Sequence, residues 1–132
     1  MTIYIDGASK GNPGKAGAGV WMADRDGRKV CEVSRYLGCK TNNEAEYEAL
    51  LLGIREAKRL GVTSVRILTD SELVERQLKG RYQVKSPNLK TLHAAALSHL
   101  GTFSSYAIEA IPREENQEAD RLANQAIRKG RV

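Results

Sequence analysis

The stretch Thr41-Asn-Asn-Glu-Ala-Glu46-Tyr-Glu-Ala-Leu50-Leu-Leu-Gly-Ile-Arg-Glu-Ala-Lys-Arg-Leu60-Gly61 decides how this chain folds. Leu50, Ile54 and Ala57, with Gly53 beside them, recur at helical spacing and form one apolar stripe. Glu44, Glu48, Arg55 and Arg59 fall on the polar face. Thr41 to Glu44 has the Thr-x-x-Glu form of a capping box, and Gly61 is a stop signal. The spacing predicts a helix over 41–60. One residue breaks the pattern: at about 100° per residue, Glu46 lies inside the apolar stripe. A lone carboxylate there is costly unless a cation or a metal ion meets it.

Outward from this helix, Ile3 to Asp6 is a short β-like run. It ends in Gly7-Ala-Ser-Lys-Gly-Asn-Pro-Gly14, a cluster of breakers that reads as a turn. Residues 16–23 and 28–36 read as two more strands joined by Asp24-Arg-Asp-Gly27, whose Asp-Gly is a hairpin signal. Residues 65–69 are apolar and β-branched, as in a buried strand, and 71–79 form a second helix closed by Gly80. Pro87 opens a third helix to about Leu100, with Leu89, Leu92, Ala96 and Leu100 in phase and Gly101 at its end. A fifth strand over 105–111 stops at Pro112. A last helix over 114–129 carries Ala119, Leu122, Ala123, Ala126 and Ile127 on its stripe. The order βββαβααβα implies an α/β fold: a five-stranded mixed sheet with helices on its faces. Helical crossovers make strands one, four and five parallel.

At 132 residues, without repeat or linker, the expectation is a single domain over 1–132. No apolar run approaches the ~20 residues of a membrane span. MTIYIDGASK lacks a signal peptide's basic start and apolar region, so the expected location is the cytosol. Cys31 and Cys39 read as reduced structural thiols, Trp21 as a core residue, and His93 and His99 as structural. Net charge is +5, unevenly placed. From Arg76 to Ile108 there are five basic residues (Arg76, Lys79, Arg81, Lys85, Lys90) and no acidic one, while the rest carries 16 of each. Such a stretch is either a solvated surface or, beside an acidic metal site, a seat for a polyanion's backbone.

Asp6 closes the first strand and Asp70 the fourth. If those strands pair in parallel, the two aspartates stand side by side at the carboxyl edge, where α/β sheets place their sites. Glu46 enters from the helix above, and Asp120 lies one turn into the last helix. Singly, Asp6 and Asp70 could be turn or cap residues, Asp120 a solvated one, and Glu46 an ion-pair partner of Lys10 or Arg113. As a set without histidine or cysteine, they favour a hard cation, Mg²⁺ or Mn²⁺, over zinc. Two such ions roughly 4 Å apart suit phosphodiester cleavage.

The segments Asp6-Gly-Ala-Ser-Lys-Gly-Asn-Pro-Gly14, Thr41-Asn-Asn-Glu-Ala-Glu46, Thr69-Asp70-Ser71 and Glu115-Asn-Gln-Glu-Ala-Asp120 together resemble type 1 ribonuclease H. Order, spacing and flanking residues match over essentially the whole chain. The resemblance implies the ribonuclease H-like fold, a five-stranded mixed sheet of order 3-2-1-4-5 with helices on both faces, and an endonuclease that cuts the RNA strand of RNA/DNA hybrids with two Mg²⁺ ions, Mn²⁺ being a possible substitute. It carries Asp6, Glu46, Asp70 and Asp120 over as the catalytic, metal-binding set. It also implies nucleic-acid contacts for Asn12, Asn42 and Asn43, a DNA-phosphate seat for Thr41, and a monomer. Capping alone could also account for Thr41, Asn42 and Asn43.

Two features depart from the family pattern. Many relatives carry a histidine in the loop before the last aspartate. Here Arg113 occupies that region, and it cannot shuttle protons near neutral pH; its expected role is phosphate contact or control of the metal state. The aromatic, lysine-rich protrusion of some relatives is also missing, with only Lys79-Gly-Arg-Tyr-Gln-Val-Lys85 in its place. Two other classes fit parts of the pattern. One is a hybrid- or double-stranded-RNA-binding module with vestigial acids. The other is a sugar-kinase or actin-like ATPase, which needs a second such domain.

Overall fold

The computed structural model describes residues 1–130. Arg131 and Val132, the end of the expected 1–132 domain, lie outside the described residues. The elements are β1 (Thr2–Ser9), β2 (Gly14–Ala23), β3 (Lys29–Lys40), α1 (Asn42–Arg59), β4 (Ser64–Thr69), α2 (Glu72–Leu78), α3 (Pro87–Leu100), β5 (Ser105–Ala110), a 3-10 turn (Arg113–Glu115) and α4 (Gln117–Lys129). The sheet order is β3-β2-β1-β4-β5. β1 pairs with β2 antiparallel and with β4 parallel, and β4 with β5 parallel, as the helical crossovers require.

The helices divide between the two faces. α1 crosses one face, its Gly53 against the side chains of Ile3 and Ile5, with α2 and α3 on the same side. α4 crosses the other face, against Gly17 and Gly19 of β2. Tyr47, Leu50 and Ile54 of α1 are sealed from solvent together with Ile3, Ile5, Val20 and Ile67. Burial of each such side chain contributes roughly 1.5–3 kcal/mol. No helix among the described residues is long and apolar enough to cross a membrane.

Four expectations need correction. β1 does not stop at Asp6 but continues through Gly7, Ala8 and Ser9, paired with Ala18, Gly17 and Ala16. The glycine there serves a close approach, described below, and not a turn. β3 runs on to Lys40, with a register shift opposite Ala16 and Gly17 that absorbs an extra residue. α4 starts at Gln117, because residues 113–115 form the 3-10 turn. Trp21 is only half-buried: it meets Tyr4 edge-on (centroids 5.7 Å apart) and lines a surface depression with Glu114, Glu115, Gln117 and Glu118.

His93 is half-buried and His99 exposed. His93 bonds the Gln77 carbonyl at 3.0 Å, and His99 lies 3.4 Å from the Lys58 ammonium. Both cysteines are free; paired opposite Met22 and Lys15, they sit eight positions apart on β3, ~26 Å at strand rise. The basic stretch is weaker than its composition. Glu72 and Glu75, just before it, pair with Arg76 (3.6 Å) and Lys79 (2.6 Å), and Arg76 also donates to the Tyr82 hydroxyl at 2.7 Å. Arg81, Lys85 and Lys90 are left without an ion pair among the described residues.

Candidate metal centre and nucleic-acid interface

Four carboxylates reach the carboxyl edge of the sheet from four elements. Ile5 of β1 pairs with Thr69 of β4, so Asp6 and Asp70, one residue on, stand side by side. Strand alternation turns Asp6 toward the α4 face with its partner Gly19, and turns Gly7 toward α1. The first turn of α1 presses so closely on β1 that a Cβ on Gly7 would sit 2.1 Å from the Ala45 carbonyl carbon. Only glycine permits that approach. It brings Glu46 over the strand end, where its carboxylate accepts the Gly7 N–H.

Carboxylate oxygens of Asp6, Glu46 and Asp70 all lie within 4.8 Å of one another. Asp6 is 5% and Glu46 7% exposed. Neither Lys10 nor Arg113 forms an ion pair with Glu46 among the described residues, although the Arg113 charge acts on it from a distance. Asp120 lines the same cleft but stands outside the trio. Its carboxylate receives the Asn124 amide at 3.2 Å and lies 3.8 Å from the Arg113 guanidinium. Sequence reasoning missed Asn124; its i+4 spacing from Asp120 is the one signal that could have found it.

The electrostatics follow from this crowding. Burial pushes the Asp6 carboxyl up to about 10, reinforced by the charges of Glu46 and Asp70 and by Asp120. Burial pushes Glu46 up to about 8, against the pull of the Gly7 N–H. Asp70 is raised by burial, in spite of the Asn116 amide and Arg113, which favour its charged form. Carboxylates this close share protons unless cations neutralise them. An oxygen-only donor set, half-sealed and convergent, fits a hard divalent cation such as Mg²⁺.

Beside the carboxylates, the cleft of about 450 Å³ continues along Ser9, Lys10, Asn42 and Asn43. Asn42 accepts the Ser9 N–H with its side-chain oxygen (3.1 Å), and Asn12 accepts the Asn42 N–H with its own (3.0 Å). Each amide is thereby oriented, and its NH₂ group makes no hydrogen bond among the described residues. Thr41 and Glu44 complete the capping box: the Thr41 oxygen takes the Glu44 N–H at 3.1 Å, and Glu44 takes the Thr41 N–H at 2.9 Å. The cap uses a lone pair of Thr41 and leaves its hydroxyl proton free. Thr41, Asn12 and Asn43 line a second depression together with Ser86 and Asn88 at the start of α3. Those two were not identified from sequence. Pro87 marked a helix start there, but nothing local shows that it lies against the start of α1. Arg113 projects into solvent, 81% exposed, at the mouth of the cleft.

A reverse transcriptase-like family model matches residues 4–126. A bifunctional protein of Mycobacterium tuberculosis is 43% identical over 129 residues, 96% of this chain and 35% of the relative. Ribonuclease HI of Halobacterium salinarum is 40% identical over 94% of this chain and 62% of the relative. The chain thus spans between a third and two thirds of these curated relatives. The solved ribonuclease H1 of that archaeon superposes with a TM-score of 0.95 at 38% identity, covering 98% of each chain. LC11 ribonuclease H1 in complex with an RNA/DNA hybrid superposes with a TM-score of 0.93 at 41% identity, over 97% of this chain and 96% of that one. In sheet order, in helix placement and over nearly its whole length, the chain belongs to the type 1 ribonuclease H family.

Proposed function

We propose that this chain is an endoribonuclease that hydrolyses the RNA strand of RNA/DNA hybrids, leaving 5′-phosphate and 3′-hydroxyl ends. The observation that carries the reading is the convergence of Asp6, Glu46 and Asp70 oxygens within 4.8 Å at the sheet edge. Asp6, Glu46 and Asp70 would hold one Mg²⁺ or Mn²⁺ ion, and Asp6 with Asp120 a second. When bound, such ions supply Lewis-acid stabilisation of the attacking and departing oxygens. The proteins named ribonuclease H among the relatives, and the hybrid bound to one of them, favour this substrate.

The protein's own groups do the rest. Asp6 and Glu46 hold protons near neutral pH until cations displace them. The free NH₂ groups of Asn12 and Asn42, with Asn43, are placed to meet ribose and base edges in a shallow minor groove. Only the RNA strand offers a 2′-hydroxyl there, which is the chemical basis of discrimination. The Thr41 hydroxyl donates to a DNA phosphate while its lone pair caps α1, and Ser86 and Asn88 extend that seat. Arg113 neutralises phosphate or Asp120 and transfers no proton. The chain acts as a monomer in the cytosol in this reading.

The test is cleavage of an end-labelled hybrid in Mg²⁺, beside double-stranded RNA and a duplex with one ribonucleotide. Hybrid-selective cleavage with 5′-phosphate products is expected, and Asp70→Asn should abolish it. Full Mg²⁺-dependent activity of Asp70→Asn would overturn the site. Binding of hybrid in Ca²⁺ without any cleavage in Mg²⁺ would point to a binding module.

A further inference from the structure

Asn116, at the entrance to α4, has an arrangement that helix formation does not explain. It is 1% exposed, among the most deeply buried polar side chains of the described residues. It occupies the position before the first residue of α4, where asparagine normally folds its side-chain oxygen onto the free N–H groups of the helix. No such bond is made. Its amide nitrogen instead donates to the Ile5 carbonyl at 2.8 Å, 111 residues earlier and immediately before Asp6. Its backbone oxygen accepts the Asp120 N–H at 3.1 Å, and its amide lies beside the Asp70 carboxyl. Its own side-chain oxygen is buried with no partner among the described residues. A forgone cap and an unpaired buried oxygen both destabilise a fold. A residue placed for stability alone would have neither.

We propose that Asn116 is the positioning residue of this site, one buried amide that sets Asp6, Asp70 and Asp120 in mutual register so that they accept divalent cations without rearrangement. The inference rests on the reading of those carboxylates as a metal site. Asn116 meets neither substrate nor metal. It acts through the β1 carbonyl beside Asp6, through the neighbouring Asp70 and through the first turn of α4. Its loss should leave the carboxylates present but loosely aimed, which weakens metal loading more than hybrid binding. Residues that orient metal ligands in this way typically cost 10–100-fold in metal affinity or activity when replaced.

The experiment compares wild type, Asn116→Ala and Asn116→Ser, each prepared metal-free and checked for fold by circular dichroism. Melting temperature is followed against Mg²⁺ alone, and hybrid cleavage against Mg²⁺ in parallel. The expected result is a midpoint shifted at least ~10-fold to higher Mg²⁺ in both assays. KM for hybrid should change little, and kcat should recover toward wild type at high Mg²⁺. If Asn116→Ala does not fold, the same midpoints in Asn116→Ser decide. Midpoints within twofold of wild type, with only a lower metal-free melting temperature, would reduce Asn116 to an anchor of α4 and overturn the proposal. A wild type whose melting ignores Mg²⁺ would instead sink the metal reading beneath it.

Discussion

Two helix starts deliver carboxylates to the same cleft, and they are built in opposite ways. α1 begins with a complete capping box, Thr41 and Glu44 satisfying each other's N–H groups, and then presents Glu46. α4 begins at Asn116 with no side-chain cap, its amide reaching across to β1, and then presents Asp120. The first start is locally self-sufficient: four adjacent residues specify it. The second is specified by a contact 111 residues away. Glu46 is accordingly drawn tightly onto β1 with the aspartates. Asp120 lies outside that trio, beside Asp6 and held by Asn124 and Arg113.

The contrast can be broken most forcibly at the glycines beneath each helix. In Gly19→Ala the new Cβ would lie 2.1 Å from the Ala119 carbonyl oxygen and 2.7 Å from the Ala123 nitrogen. In Gly7→Ala it would meet the Ala45 and Glu46 backbone at 2.1–2.4 Å. Backbone cannot step aside as a side chain can, so each change should cost about 3 kcal/mol or more. Chemical denaturation with cleavage on the same samples checks this. Gly7→Ala should lose more activity per unit of stability, because the displaced turn carries Glu46.

The crowding of carboxylates where α1 presses on β1 should show in pH dependence. Asp6 and Glu46 titrate far above their ordinary values of 3.8 and 4.5. The fold keeps their protons after the unfolded chain has released them, and each retained proton favours unfolding as the pH rises. Their contribution is complete below about pH 4 and is lost progressively toward the raised values of about 8 and about 10. Metal-free protein should therefore melt several degrees lower at pH 9 than at pH 6, and Mg²⁺ should remove most of that fall. An unchanged metal-free melting temperature over this range would contradict the shifts.

Thr41→Ala sharpens the comparison at smaller scale. It removes one half of the α1 capping box and should cost about 1 kcal/mol, read by denaturant unfolding, with KM for hybrid raised as well. The smallest expected effect lies away from both helix starts, at the exposed Lys85. Lys85→Ala should change stability by under about 0.5 kcal/mol. It should weaken hybrid binding a few-fold and reduce the dependence of log affinity on log salt by about one.

What was legible in the sequence divides along the same line. The α1 cap, its stripe and the misfit at Glu46 could be read because each depends on residues within one or two turns. The parallel relation of β1, β4 and β5 followed from the helical crossovers, and the strand order from the family resemblance. Gly7 was misread as a turn because its purpose, admitting Ala45 at van der Waals range, exists only once α1 docks. Trp21 was misread because one helix covers only part of its sheet face. Asn116 and Asn124 carried no visible role, since a buried amide is indistinguishable from a cap or a surface residue until its partners are known. The basic stretch was overcounted for a local reason, since Glu72 and Glu75 lie one turn before it.

The measurement that tests the account most directly is the melting temperature at pH 8 with and without Mg²⁺, for wild type and Glu46→Gln. If Glu46 completes a metal site with Asp6 and Asp70, Mg²⁺ should raise the wild-type melting temperature by mass action. Glu46→Gln should fold, melt at or above metal-free wild type, and respond weakly or not at all. An equal Mg²⁺ response in both proteins would contradict the central claim, as would a Glu46→Gln that fails to fold.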